Sequence, residues 1–107
     1  MASGRLGAAA LAADTTTTVY TVPADTVATV NIGVVNRGAD AAATVQVAIT
    51  PGAAAPAAAD WIEGPVTLPP GGVLERSGVV CGPGERVHVR ADTDACVVRV
   101  HGFEEGL

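Results

Sequence analysis

The chain has 107 residues, which fits one domain with a modest core, and 21 of its residues are Ala. It carries six Arg, no Lys and a formal net charge of −5, a balance that argues against general nucleic-acid binding. No apolar run approaches the roughly 18 residues that a membrane span needs, so no membrane partner is expected.

The first 14 residues are rich in Ala and are predicted to form an N-terminal arm. A glycine and the lack of a capping residue weaken the alternative of a short helix. Isolated Leu6 and Leu11, together with Arg5, would suit docking into a groove of a neighbouring subunit; an arm lying on its own domain is the alternative. The predicted organisation is therefore an arm, residues 1–14, followed by a domain, residues 15–107.

From residue 15 onward, apolar and polar residues alternate between turn signals, a pattern that predicts β-strands. About seven short strands of this kind are typical of an all-β, antiparallel two-sheet β-sandwich, either Ig-like or jelly-roll-like. Pro65 places the fourth strand at a sheet edge. The strands are predicted at residues 16–22, 26–35, 43–50, 61–68, 73–81, 86–91 and 96–103.

Two pairs of consecutive strands are predicted to form hairpins. In the first, strands 26–35 and 43–50 would place Val34 opposite Val45. In the second, strands 86–91 and 96–103 would place Val89 opposite Val98. The side chains predicted to face inward are Ala28, Val30, Ile32, Val34, Val45, Val47, Ile49, Val87, Val89, Ala91, Cys96, Val98 and Val100.

The outer face of the second hairpin would collect half of the six arginines and both histidines. Arginine pairs with carboxylates in a bidentate manner and is enriched at interfaces, so this face is predicted either to dock onto an acidic protein or to be solvated. A nucleic-acid surface is not favoured, because the face lacks an aromatic row for stacking. The residues of this predicted basic face are Arg86, His88, Arg90, Arg99 and His101.

No constellation in the sequence indicates catalysis or metal binding. His88 and His101 would be diagonal neighbours on the basic face, but the flanking Arg would repel a cation and no third ligand is evident. Neither Ser lies in a nucleophile motif, and no local motif supports a catalytic Cys. We therefore expect a protein that is not an enzyme and needs no cofactor.

The two cysteines, Cys81 and Cys96, would lie at opposite ends of the strand at 86–91. That strand would separate them by about 20 Å. A disulfide tolerates only about 7 Å between Cα atoms. Reduced core thiols are the first expectation, and a bridge from Cys81 to another subunit is the alternative.

Several segments together resemble small all-β virion proteins encoded in tailed-phage structural gene clusters. They include residues 3–7 (SGRLG), 16–23 (TTTVYTVP), 68–78 (LPPGGVLERSG) and 100–105 (VHGFEE). The resemblance covers most of the chain and rests on the overall pattern of these segments.

The resemblance implies a non-enzymatic structural component of a tailed-phage particle, made in the bacterial host cytoplasm and located in the virion. A capsid decoration (cement) protein that binds the capsid lattice through its arm and sheet surfaces is the first expectation. A tail, collar or fibre accessory protein, or a receptor- or carbohydrate-binding module, is the alternative. The implied partners are the major capsid or tail protein, in a homo-oligomer or a symmetric multicopy assembly.

Overall fold

Eight strands form the fold in a computed structural model, which describes residues 2–107. All seven predicted strands are present within one to three residues of their predicted ends, and an additional strand precedes them. The all-β prediction is therefore confirmed. Within the described residues, no helix is long and apolar enough to cross a membrane. The strands are β1 (Ser3–Ala10), β2 (Thr15–Thr21), β3 (Thr26–Asn36), β4 (Ala43–Thr50), β5 (Trp61–Leu68), β6 (Val73–Cys81), β7 (Arg86–Ala91) and β8 (Cys96–Gly106), with a short 3₁₀ helix at Ala58–Asp60.

The strands pair into two four-stranded antiparallel sheets. Sheet A has the order β1-β8-β3-β6, and sheet B has the order β2-β7-β4-β5. Only the β4–β5 connection joins neighbours within one sheet, and every other connection crosses between the sheets. This is the strand order of an eight-stranded jelly roll, a sandwich built from two Greek keys.

Both predicted hairpins are wrong, because each pair of consecutive strands is divided between the two sheets. Val34 pairs with Val98 and Leu74 in sheet A, and Val89 pairs with Val47 and Thr17 in sheet B. Alternation determines which side chains of a strand point inward. It does not determine whether two strands lie side by side in one sheet or face each other in two opposed sheets. Here they oppose each other.

The turn at residues 92–95 shows why β7 and β8 separate. Asp92 does not close a hairpin; its backbone N–H donates to the carbonyl of Thr44, and its carboxylate accepts from the N–H of Thr44. On the other side of the turn, the carbonyl of Ala95 accepts from the N–H of Arg37. One end of the turn is thus bound to sheet B and the other to the end of β3 in sheet A.

The core lies between the sheets and contains the side chains that were predicted to face inward. Ile32 is its largest fully buried side chain, and Ile49 is half-buried against it. Ala48 and Thr50 point to the other side of β4, yet they are also buried. The 3₁₀ helix of the loop at residues 51–60 contacts β4, and this loop covers part of the outer face of sheet B.

The predicted N-terminal arm is part of the sandwich. Residues 3–10 form β1 at the edge of sheet A, and Leu11 is only 2% exposed in the core. Gly7 permits a close approach to β2, because a Cβ at this position would clash with the carbonyl oxygen of Val19. Gly and Ala contribute little apolar area to a core, but their small size suits an edge strand that packs closely on a neighbouring strand.

All four edge strands carry irregular pairing. The register shifts at Leu6 in β1, at Val19 in β2 and at Gly78 in β6, where Gly78 has a positive φ of 68°. Strand β5, placed at an edge as Pro65 predicts, contains two shifts. Bulges and Pro disfavour strand pairing with another molecule, so contacts with partners are expected on the faces of the sandwich and not on its edges.

Two contacts that involve charged side chains join the sheets. Arg76 Nη1 in β6 lies 2.6 Å from Glu63 Oε1 in β5. The hydroxyl of Tyr20 in β2 donates to Glu104 Oε2 in β8 at 2.6 Å, and burial together with this carboxylate raises the pKa of the Tyr20 phenol. The charged side chains of Glu63, Arg76 and Glu104 point inward, and each has a partner within the chain.

Candidate interaction surface

The predicted basic face is divided between opposite sides of the molecule. Arg86, His88 and Arg90 lie on β7 and point to the outside of sheet B, whereas Arg99 and His101 lie on β8 and point to the outside of sheet A. The prediction of a single five-residue face was wrong because it depended on the hairpin. The two histidines are consequently far from the diagonal contact that was expected of them.

On sheet B, His88 is a structural residue and not an accessible one. It is 5% exposed, and its ring lies between Thr18 Oγ1, 3.1 Å from Nδ1, and Thr50 Oγ1, 2.8 Å from Nε2. The Thr50 hydroxyl donates its only hydrogen to the carbonyl of Gly52, so Nε2–H of His88 donates to Thr50. In the neutral imidazole, Nδ1 then accepts from the Thr18 hydroxyl.

We expect the neutral state of His88 to make folding depend on pH. Burial first, and the charge of Arg86 second, lower the pKa of His88 from its ordinary 6.5, against an opposing effect of Asp60. The unfolded chain therefore takes up a proton at this residue before the folded chain does, so stability is complete above pH 6.5 and falls as the pH drops below it.

The measurement is the melting temperature of wild type and His88→Gln between pH 7.5 and pH 5, the range around the pKa of a free imidazole. Carboxylates titrate in both proteins, so the difference in slope isolates His88. Wild type should lose stability more steeply than the variant. Parallel curves would show that His88 is not held neutral.

Sheet A presents a different outer face, which we call the sheet A face. The strand register arranges its side chains in rows across β1, β8, β3 and β6. One row is apolar across the whole sheet, and the next carries one positive and one negative charge. The rows are, in order along the strands, Ala10–Val97–Val35–Val73, Ala8–Arg99–Gly33–Glu75, the polar row Arg5–His101–Asn31 that meets the bulge of β6, and Ser3–Phe103–Thr29–Val80.

The sheet A face exposes large apolar side chains. Val73, Val80 and Phe103 are 56%, 67% and 45% exposed, and Leu107, directly after β8, is 81% exposed. A shallow groove of about 410 Å³ runs along the face. Val73 belongs to the apolar row at one end of the face, and Phe103 and Val80 form a second apolar patch at the other end. Exposed apolar patches mark contact sites for other molecules. The groove is lined by Ala8, Ala9, Ala10, Gly33, Val35, Val97, Val98 and Arg99.

Two arginines on this face have no carboxylate partner. The ion pairs among residues 2–107 involve Arg76 with Glu63 and Arg90 with Asp14. Arg99 lies in the row beside the apolar one, and Arg5 lies opposite His101 in the register. Of the residues predicted to bind partners, Arg5, Arg99 and His101 therefore share one exposed face, whereas Leu6 and Leu11 pack in the core.

No family model, curated protein or solved structure matches the chain. Among the described residues, no group of three or more His, Cys, Asp or Glu side chains could hold a metal ion.

Both cysteines are buried in the core as free thiols. Cys81 and Cys96 are 0% exposed, and burial raises the pKa of both, that of Cys81 to about 11. They pair with Ala28 and Asn36 at opposite ends of β3, about 27 Å apart at strand spacing. The predicted reason for their separation was wrong, because β7 lies in the other sheet. A bridge from Cys81 to another subunit is excluded by its burial.

Proposed function

We propose that this chain is a non-enzymatic structural component of a tailed-phage particle: a capsid decoration (cement) protein present in many copies in the virion. The observation that carries the proposal is the sheet A face, which exposes two apolar patches on an otherwise acidic protein: Val73 with its row at one end, and Phe103 with Val80 at the other. The resemblance of the sequence to small all-β virion proteins supplies the kind of assembly.

The rest of the molecular surface supports contact through this face. The edge strands are irregular, and part of the outer face of sheet B is covered by the protein's own loop at residues 51–60. On a symmetric particle, a modest contact repeated in many copies gives strong overall attachment. The proposed partners are the major capsid protein and further copies of this chain.

The positions of the aromatic residues favour a structural role over a carbohydrate-binding module. Trp61 lies half-buried on β5 in sheet B, Tyr20 is in the core, and Phe103 is on the sheet A face. A sugar site needs aromatic and polar groups that converge in one concavity. These three side chains are dispersed over separate parts of the sandwich. A tail, collar or fibre location would use the same face with a different partner.

The first test is the presence of the protein in purified particles, with a copy number measured by quantitative mass spectrometry. The second is binding of purified protein to particles that lack it. We expect Val73→Lys/Val80→Lys to weaken particle binding at least about tenfold, because two charges enter an apolar contact.

The matched control is Thr16→Lys/Thr67→Lys, which adds the same two charges to the outer face of sheet B. It should bind particles as wild type does. Absence of the protein from purified particles would overturn the proposed function. If the sheet A variant and its control bound particles equally, the sheet A face would not be the surface through which the protein binds particles.

A further inference from the structure

We infer that the sheet A face is a self-complementary interface and that its occupant is a second copy of this chain, packed face to face about a two-fold axis. The inference rests on the proposed function only in taking the sheet A face as a contact surface. It adds the identity of the neighbour and the geometry of the contact.

Two copies of the sheet A face are complementary in shape. A two-fold axis parallel to the strands, along the midline between β8 and β3, places β1 on the partner's β6 and β8 on the partner's β3. Each row then lies on the same row of the second copy in reversed order. Large side chains meet small ones: Val73 lies on the partner's Ala10, Val80 on the partner's Ser3, and Arg99 on the partner's Gly33.

The two strands next to the midline, β8 and β3, carry most of this fit. Two sheets that pack face to face cross at about −30°, so residues of β8 and β3 near the axis stay aligned, whereas Val73 and Val80 at the corners shift relative to the partner's Ala10 and the partner's Ser3. Val97 lies on the partner's Val35 close to the axis, and the two-fold repeats this contact. One end of the contact is therefore apolar, and in the next row Gly33 leaves the space that the Arg99 side chain needs.

The charges of the sheet A face favour the same arrangement. With Arg99 over the partner's Gly33, two charged residues lie one strand spacing, about 4.8 Å, to either side: the partner's Glu75 away from the axis and the partner's Arg99 across it. The guanidinium therefore pairs with the partner's Glu75 by extending away from the axis. The two-fold axis creates this pair twice. An axis perpendicular to the strands and centred on the same row would place Arg99 on Arg99 and Glu75 on Glu75. Like charges in direct opposition disfavour that arrangement, so the charges select the axis parallel to the strands.

The area of the face sets the expected affinity. Four strands about 4.8 Å apart and about nine residues long span roughly 500 Å² per subunit, or about 1,000 Å² in the pair. This is the lower limit for a specific protein interface. We therefore expect a weak dimer of the free protein, with a dissociation constant on the order of 10–100 µM, which multivalent binding on a lattice would strengthen.

Sedimentation velocity of the purified chain over a range of concentrations tests the dimer. Wild type should shift from monomer to dimer, whereas Arg99→Glu and Glu75→Arg should each remain monomeric at least about tenfold higher in concentration. An equimolar mixture of these two variants should dimerise again, because each then meets the opposite charge. The double variant Arg99→Glu/Glu75→Arg should dimerise as well.

Gly33→Gln provides an independent test of the shape argument. A Cβ at Gly33 meets no atom within 4 Å in the monomer, so the fold tolerates the side chain, which fills the space needed by the partner's Arg99. We expect this variant to fold and to remain monomeric. Gln46→Glu, on the outer face of sheet B, is the control and should dimerise as wild type does.

The outcomes separate this inference from the proposed function. A wild-type chain that stays monomeric at all concentrations, yet binds particles through the sheet A face, overturns the dimer and leaves the proposed function standing. If the protein is instead absent from particles but forms a dimer that responds to the exchange of charges, the proposed function is overturned and the dimer stands. Failure of the variant mixture to restore dimerisation would overturn the proposed geometry.

Discussion

Replacing Gly102 with Ala should destabilise the protein by about 4 kcal/mol, because the new methyl group has no space and the backbone is unsuited to it. Gly102 has a φ of 153°, a conformation that L side chains rarely adopt. It pairs with Val30 in the centre of sheet A, and a Cβ there would clash with the carbonyl oxygen of Thr29 and lie 3.0 Å from Val30 Cα. Both neighbours are backbone atoms of a central strand, so neither moves easily.

The measurement is the free energy of unfolding in urea for Gly102→Ala beside Gly33→Ala. Gly33 belongs to the same pair of strands, has no positive φ and leaves open space around an added Cβ. Its replacement should be neutral or stabilise the protein by up to about 1 kcal/mol. A loss below about 1 kcal/mol in Gly102→Ala would show that β8 shifts away from β3 at low cost.

The sequence predicts the strands and their inward faces well, because alternation acts through local geometry. Val87, Val89, Val98 and Val100 are all buried, as their spacing indicates. Strand partners are determined by long-range contacts that leave no periodic signal. The turn at residues 92–95 reads as a hairpin turn, although its bonds lead to Thr44 and Arg37.

The candidate surface could be predicted only in part. Arg99 and His101 are correctly placed on an outer face, but their association with Arg86 and Arg90 required the wrong partner strand. Conversely, the apolar row of the sheet A face joins residues from four distant segments, so it becomes visible only when the sheet order is known. Gly33 is a further example. The space that it leaves on the sheet A face is apparent from its neighbours in the strand register and not from its own segment of the sequence.

The jelly-roll order explains why a protein with blunted edges still has a sheet available for contact. Six of its seven connections pass between the sheets at the ends of the sandwich, and the loop at residues 51–60 packs on sheet B. The centre of the sheet A face is therefore left open. In a small sandwich with its Val-rich core enclosed, this face is the remaining place where substantial apolar burial is still available to a partner.

Asn36 is expected to be the second sensitive position, because its buried amide links the two sheets. It is the last residue of β3 and 0% exposed; its Nδ2 donates to the carbonyls of Ala41 and Leu68 at 3.0 and 3.1 Å. Its Oδ1 accepts from the N–H of Gly38 at 2.9 Å. The side chain thus fixes the turn that leaves sheet A and holds it against the end of β5 in sheet B.

Asn36→Ala should lower the free energy of unfolding by about 3 kcal/mol, because the truncation leaves the buried carbonyl of Leu68 and the partly buried groups of Ala41 and Gly38 without partners. Asn31→Ala is the matched control: its Oδ1 accepts from the exposed N–H of Gly78 at the bulge of β6, and water replaces that bond. The control should lose less than about 1 kcal/mol in the same urea titration. Equal losses in the two variants would contradict this role of Asn36. In that case the backbone amide of Gly38 in Asn36→Ala would exchange its hydrogen as slowly as it does in wild type.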